Sequence, residues 1–193
     1  MHKFIPKSKF FERAAVNSKL KDEFTQKIQK ITWEYKLAES TIGVLGTESV
    51  EEIQIFEIQL KERDIPKNVL KIIDKSIPYP ILYVFTHEGY TAYGITLKGG
   101  GAERYYFSEW NERKALTFVG SNLERVYQGL VTSFIKDVGD GVKDFKTLVE
   151  SDKRREMFAK EIAALKNKIK NEKQFNKKVA LNKILQERIN KIA

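Results

Sequence analysis

The sequence predicts an α+β protein: a mixed or mostly antiparallel sheet with flanking helices, followed by a long, coiled-coil-like helical tail. Residues 50–61 (VEEIQIFEIQLK) alternate apolar and polar side chains, which is typical of a strand. Amphipathic segments with helical spacing lie on either side of it in the chain. Residues 151–193 contain no Pro or Gly, and their 13 Lys and Arg against 5 Asp and Glu provide +8 of the net charge of +9. We therefore expect an α+β domain over residues 1–140 and a basic helical tail over residues 141–193.

The elements of the predicted domain follow from local patterns. Residues 1–18 predict an irregular arm because Pro6 disfavours a helix. The spacing of apolar residues, with Leu20, Phe24, Ile28 and Ile31 three or four apart, predicts one amphipathic helix over 19–35. A short helix begins near Pro66. Strands are expected at 50–61, 81–86, 90–97, 104–107 and 115–119, with a hairpin turn at 87–89.

A last helix completes the predicted domain. Ser121 and Glu124 have the spacing of a capping box, in which each side chain bonds the other residue's amide. The helix that follows is expected to run to about Asp137. Gly139-Asp140-Gly141 then marks the domain boundary.

Composition narrows the class of protein. The chain has no cysteine, which excludes disulfides and thiolate chemistry and suits the cytoplasm. We expect no membrane span, because no apolar run approaches roughly 20 residues. The two histidines, His2 and His87, are far apart in the sequence, so neither a metal site nor a cofactor is expected.

One strand carries a possible catalytic pattern. Alternation places Glu57, Gln59 and Lys61 on one face of the 50–61 strand. A carboxylate that holds Mg²⁺ and a lysine that stabilises developing charge are parts of a metal-dependent nuclease. Such sites usually have an acidic residue two positions before the lysine, where this chain has Gln59. The pattern therefore leaves a divergent Mg²⁺-dependent nuclease and a solvated strand face as alternatives.

The tail carries two apolar stripes that do not align. At about 100° per residue, the first stripe, over 158–169, is rotated by roughly 150° from the second, over 181–192. The helix is therefore expected either to break near residues 171–176 or to contact two different surfaces. The predicted partner-docking residues are Phe158, Ile162, Leu165, Ile169, Phe175, Leu181, Leu185 and Ile189.

A lysine ridge accompanies the first stripe. Lys166, Lys170, Lys173 and Lys177 are spaced by four, three and four, so they align on one side of a continuous helix. With Lys178, they are the predicted nucleic-acid-binding residues, because lysines bind backbone phosphates. The alternative is the solvated flank of a coiled coil.

Several segments resemble a known family. Ile5-Pro6-Lys7, Ile31-Thr32-Trp33 and the run from Glu172 to Asn182 (EKQFNKKVALN) are similar to the prokaryotic family domain of unknown function forty-three ninety-one. The resemblance covers nearly the whole chain. It implies a setting in restriction-type antiviral loci, beside helicases and DNA methyltransferases, and it implies no catalytic residues.

These observations favour a non-catalytic accessory subunit of an antiviral-defence or restriction-like complex. Its C-terminal helices are expected to dock a helicase, a methyltransferase or a second copy of the chain, and its lysines to contact DNA. The alternatives are the nuclease with Glu57 and Lys61 and a self-assembling coiled-coil module.

Overall fold

The computed structural model of the chain describes residues 2–98, 104–136 and 144–190. The chain forms two compact units, Met1–Lys136 and Asp137–Ala193. The predicted boundary at Gly139-Asp140-Gly141 lies outside the described residues. Within the described ranges there are six strands and seven helices, so the predicted α+β class is confirmed.

The first unit combines a six-stranded sheet with five helices in its described part. The strands are β1 (Lys3–Phe4), β2 (Ile28–Leu37), β3 (Ile53–Leu60), β4 (Ile81–His87), β5 (Tyr90–Leu97) and β6 (Arg104–Phe107). The helices are α1 (Ser8–Arg13), α2 (Ser18–Lys27), α3 (Glu39–Ile42), α4 (Lys67–Ser76) and α5 (Leu123–Thr132).

The sheet is mixed, and its spatial order follows the chain from β1 to β6. Only β3 and β4 are parallel, and α4 makes the crossover that a parallel pair requires. The other neighbours are antiparallel. The hairpin predicted at 87–89 is confirmed: Glu88 and Gly89 both have positive φ, of 44° and 84°, as a two-residue primed turn needs.

One face of the sheet forms the main core. Phe24 of α2, Leu70 and Ile73 of α4, and Ile58 and Phe85 of the sheet are all fully buried there. Helices α1 and α2 both contact α4, so three helices cover this face. The opposite face is also buried in part, because Leu82 and Ile95 pair across β4 and β5 and are inaccessible to solvent.

Helix α5 contacts β5 and is tied to the end of that strand by a tyrosine. The Tyr127 hydroxyl donates to the Thr96 carbonyl at 2.6 Å and accepts from the Lys98 amide at 3.0 Å. Burial raises the pKa of Tyr127 to about 12, because the phenolate would lose its hydration. This hydroxyl therefore stays protonated at neutral pH and satisfies two backbone groups.

The helix predicted over 19–35 is wrong in its second half, where the chain forms β2. Ile28 and Ile31 are both buried although they are three residues apart. In a regular strand, side chains three residues apart point to opposite faces. A register shift between Ile28 and Lys30 moves both isoleucines into the core. The bulge makes a strand carry the apolar spacing of a helix.

Other predicted elements also differ. Residues 1–18 are not an irregular arm, since they contain β1 and α1, and residues 115–119 form no strand. The N-cap of α5 is Asn122, not Ser121: its side chain accepts from the Arg125 amide at 2.9 Å. Helix α5 ends at Thr132, earlier than predicted, where the Ser133 hydroxyl bonds the Leu130 carbonyl at 2.7 Å.

The second unit contains α6 (Phe145–Asn171) and α7 (Phe175–Asn190). Of the two alternatives for the tail, the break near 171–176 is the one present, although the segment has no Pro or Gly. Glu172 adopts an extended conformation, and its side chain accepts from the Gln174 amide at 2.8 Å. An ion pair of 3.3 Å between Glu161 and Arg188 links helices that contact each other, so α6 and α7 form an antiparallel hairpin.

None of the helices in the described ranges is long and apolar enough to cross a membrane.

Candidate functional site

The three residues of the possible nuclease pattern lie at the end of β3. Glu57 and Gln59 are half-buried, and Lys61 is exposed just beyond the last strand residue. The Glu57 carboxylate accepts from the Thr86 hydroxyl of β4 at 3.0 Å. The structure thus gives Glu57 a neutral hydrogen-bond donor from the neighbouring strand.

A second lysine stands near this strand end. Lys7 donates to the Ile28 carbonyl, and burial, followed by the charge of Lys61, lowers its pKa. Two cations at one strand end would attract an anion. Within the described residues, no group of three His, Asp or Glu side chains is arranged to hold a metal ion. The hypothesis that Glu57 and Lys61 cleave nucleic acid stays a prediction.

The predicted docking residues separate into two groups in the hairpin. Leu185 is buried, while six others are half-buried. Phe175, by contrast, is 78% exposed at the first position of α7. The turn between the helices brings together two stripes that could not share one side of a straight helix. The half-buried residues are Phe158, Ile162, Leu165, Ile169, Leu181 and Ile189.

The positive charge of the hairpin is concentrated where the two helices join. Residues 164–183, which we call the basic tip, contain seven lysines and one glutamate, a net charge of +6. Residues 144–163 contain five basic and five acidic side chains, and residues 184–190 contain one of each. All of the net charge of residues 144–190 therefore belongs to the basic tip.

All five lysines predicted to bind nucleic acid lie in the basic tip and are exposed. The continuous ridge predicted for them is wrong, because α6 ends at Asn171 and Lys173 lies in the connection. Lys166 and Lys170 project from α6, whereas Lys177 and Lys178 belong to α7. The five ammonium groups thus lie on both helices and on the connection between them.

An apolar patch accompanies these lysines. Phe175 and Val179 lie one helical turn apart on α7 and are 78% and 53% exposed. Lys178 lies three residues after Phe175 on the same helix, so charge and apolar surface adjoin. Exposed apolar side chains that form a patch bordered by polar residues are typical of an interaction site. A phenylalanine exposed beside lysines fits this description.

Sequence reasoning missed a cleft in the first unit. Its volume is about 380 Å³, and it is lined by residues of β1, α1, β2, β3 and the segment after α4. Three cations, Lys3, Lys9 and Arg13, belong to its lining. The recurrence of basic residues between Lys3 and Arg13 was the available signal, but the irregular arm predicted there concealed their common position.

The fold and the basic tip together define an α+β protein that presents a cationic helical hairpin. The chain belongs to the family described as domain of unknown function DUF4391, whose sequence profile matches residues 1–192. This confirms the resemblance that the N-terminal segments and the 172–182 run indicated. No curated protein and no solved structure is significantly similar to the chain.

Proposed function

We propose that the protein is a cytoplasmic, non-catalytic accessory subunit of a bacterial antiviral-defence or restriction-like complex, and that its basic tip contacts nucleic acid. The observation that carries the proposal is the charge distribution of the hairpin: a net +6 within residues 164–183 and none in the rest of 144–190. The defence setting comes from the family resemblance. It makes a helicase or a DNA methyltransferase the partner that would supply catalysis.

The tip would act through phosphates. Lysine ammonium groups replace the condensed counterions of a nucleic acid, and the released ions provide a salt-dependent free energy. Five such contacts with duplex DNA give a salt slope of about −4.5, or a loss of roughly 500-fold in affinity between about 50 and 200 mM salt. These contacts carry no sequence information, since phosphates are the same at every step. Sequence recognition would therefore belong to the partner subunit.

The apolar patch would dock that partner. Phe175 and Val179 are exposed in the folded hairpin, so a partner can cover them without separating α6 from α7. A partner that instead used Leu185 would first have to uncover it, because that side chain is 7% exposed. A subunit held at the patch would keep its nucleic acid next to the lysines.

Nucleic-acid binding is tested by replacing the five lysines Lys166, Lys170, Lys173, Lys177 and Lys178 with Gln. The matched control replaces five exposed lysines outside the tip, Lys19, Lys71, Lys75, Lys146 and Lys153, and removes the same charge. Fluorescence anisotropy with a labelled duplex of roughly 20 base pairs, measured at several salt concentrations, gives affinity and salt slope. We expect the tip variant to lose most of the slope and the control to keep most of it. If both variants lose the same part of the salt slope, binding depends only on the net charge of the chain, and the basic tip is not the binding site.

Partner docking is tested separately by a pull-down from the native host with the tagged full chain. The variant Phe175→Ser/Val179→Ser is expected to lose the helicase or methyltransferase, while the lysine variant retains it. Retention of the partner by the apolar variant would refute docking at the patch.

The self-assembly alternative makes a different prediction. Oligomers held by apolar stripes persist at high salt, whereas lysine–phosphate contacts weaken as ions screen them. Light scattering of the purified chain at low and high salt distinguishes the two, and we expect no oligomer that survives at high salt.

A further inference from the structure

The cleft of the first unit has an apolar floor built by one row of the sheet. Trp33 of β2 and Phe56 of β3 are cross-strand neighbours that form the floor, Phe10 of α1 is buried beside them, and Lys3 of β1 continues the row to the rim. The Trp33 indole N–H donates to the Tyr35 carbonyl at 3.1 Å, which holds the ring in place. Trp33 is half-buried and packs against the main core. A fixed, partly exposed indole offers a flat surface to a planar ligand.

The rim of the cleft is cationic. Lys3, Lys9 and Arg13 line it together with one acidic residue, Glu52. Glu52 pairs with Lys36 at 3.2 Å and also accepts from the Gln54 amide group, so its charge is already compensated.

Two of the rim cations, Lys9 and Arg13, make long contacts. The ion pair of Lys9 with Glu12 spans 3.6 Å between side chains that are each 62% exposed, and such pairs contribute little. The Arg13 guanidinium reaches the Ser76 carbonyl at 3.4 Å. These groups can turn to a ligand at little cost.

Size and chemistry together define the ligand. A volume of about 380 Å³ is at the small end of the roughly 300–1,000 Å³ that small-molecule sites occupy. An aromatic floor binds a planar ring, and a rim of two or three cations binds a group with more than one negative charge. We propose that this cleft binds a nucleoside phosphate, with the base against Trp33 and the phosphate between Lys9 and Arg13. The nucleotide can be free or the terminal nucleotide of a single strand.

The proposal goes beyond the basic tip, because it concerns the first unit and depends on other residues. Calorimetric titration of the full chain with AMP is the direct test. We expect a Kd below about 1 mM for AMP, and binding about tenfold or more weaker for adenosine and for inorganic phosphate. Arg13→Gln should weaken AMP binding by about tenfold or more, while Lys71→Gln, an exposed position on α4 outside the cleft, should not.

Fluorescence supplies a second measurement. Trp33 and Trp110 are the two tryptophans of the chain, and Trp33 lines the cleft. AMP should quench the wild-type signal, and Trp33→Phe should remove that quenching while circular dichroism shows an intact fold. Quenching that persists in Trp33→Phe would overturn the assignment.

A 5′-phosphorylated tetranucleotide distinguishes the two sources of the ligand. If the tetranucleotide binds about tenfold more tightly than AMP, and Arg13→Gln abolishes this binding, the cleft holds the end of a strand. If the two ligands bind with equal affinity, the cleft holds a free nucleotide. The five-lysine tip variant should bind AMP as the wild type does. Absence of binding by both ligands, adenosine or phosphate alone binding as well as AMP, or loss of AMP binding in the tip variant would each overturn the proposal.

Discussion

The hydroxyl of Tyr127 is expected to stabilise the first unit, because it bonds two backbone groups of a buried region. It bonds the Thr96 carbonyl at 2.6 Å and the Lys98 amide at 3.0 Å, and Tyr127 is only 5% exposed. The substitution Tyr127→Phe keeps the ring and removes both bonds. It therefore isolates the polar contribution of one oxygen atom from the packing of α5.

The expected loss of stability depends on the two backbone groups that lose the hydroxyl as a hydrogen-bond partner, the Thr96 carbonyl and the Lys98 amide. A buried backbone group deprived of a hydrogen bond costs about 1–3 kcal/mol, and Thr96 is fully buried. Lys98 is half-buried, so water can compensate part of its loss. We expect Tyr127→Phe to lower the free energy of unfolding by about 2–3 kcal/mol at neutral pH.

The raised pKa of the same hydroxyl predicts that the stability of the first unit depends on pH in the alkaline range. The pKa of Tyr127 is raised from 10.0 in the unfolded chain to about 12 in the folded one. Between these values the folded state holds a proton that the unfolded state has lost, so stability falls as pH rises from 10 to 12. At about 1.4 kcal/mol per unit, the advantage of wild type over Tyr127→Phe should shrink by roughly 2–3 kcal/mol across that window.

Urea unfolding followed by tryptophan fluorescence measures both effects, because Trp33 and Trp110 both belong to the first unit. At each pH, the free energy of unfolding of the variant is subtracted from that of the wild type. This difference removes the contribution of titrating groups that both proteins share. Tyr35→Phe is the control, since that side chain is 60% exposed. A neutral-pH loss no larger than that of Tyr35→Phe, or a gap that stays constant between pH 10 and 12, would refute the reasoning.

Three further comparisons test the fold and the alternative function. Gly94→Ala should destabilise the first unit by about 1–3 kcal/mol, because a Cβ there would lie 2.9 Å from two phenylalanine rings, whereas Gly129→Ala, on the open side of α5, should be neutral or stabilising. Asn122→Ala should cost about 1 kcal/mol by removing the cap of α5, and Ser121→Ala should cost almost nothing. Urea unfolding compares each pair. In a nuclease assay with Mg²⁺, we expect wild type and Lys61→Ala to behave alike; metal-dependent cleavage lost in the variant would establish the nuclease alternative.

Local patterns predicted much of the sheet but failed where the backbone is irregular. β3 and the β4–β5 hairpin follow from alternation and from the turn at Gly89, which are local signals. β2 could not be predicted in this way, because the bulge near Ile28 gives the strand the apolar spacing of a helix. A bulge is decided by pairing with β3, and no local pattern records that pairing.

The candidate sites divide in a similar manner. Five of the seven lysines of the tip were predicted from their spacing, and the two stripes rotated by roughly 150° indicated either a break of the helix or two contact surfaces. The cleft was not predictable, since it needs Arg13, Trp33 and Glu52 to meet from three separate segments of the chain.

The sequence by itself determined the α+β class and the basic C-terminal segment, and it gave a helix break near residues 171–176 as one of two alternatives, because each depends on neighbours within a few turns. Only the tertiary structure decided which way β2 faces, that Leu185 is buried while Phe175 is exposed, and that three N-terminal cations line one cleft. These features depend on contacts between residues distant in the chain. Their energies are set by pairing and packing that no single segment contains.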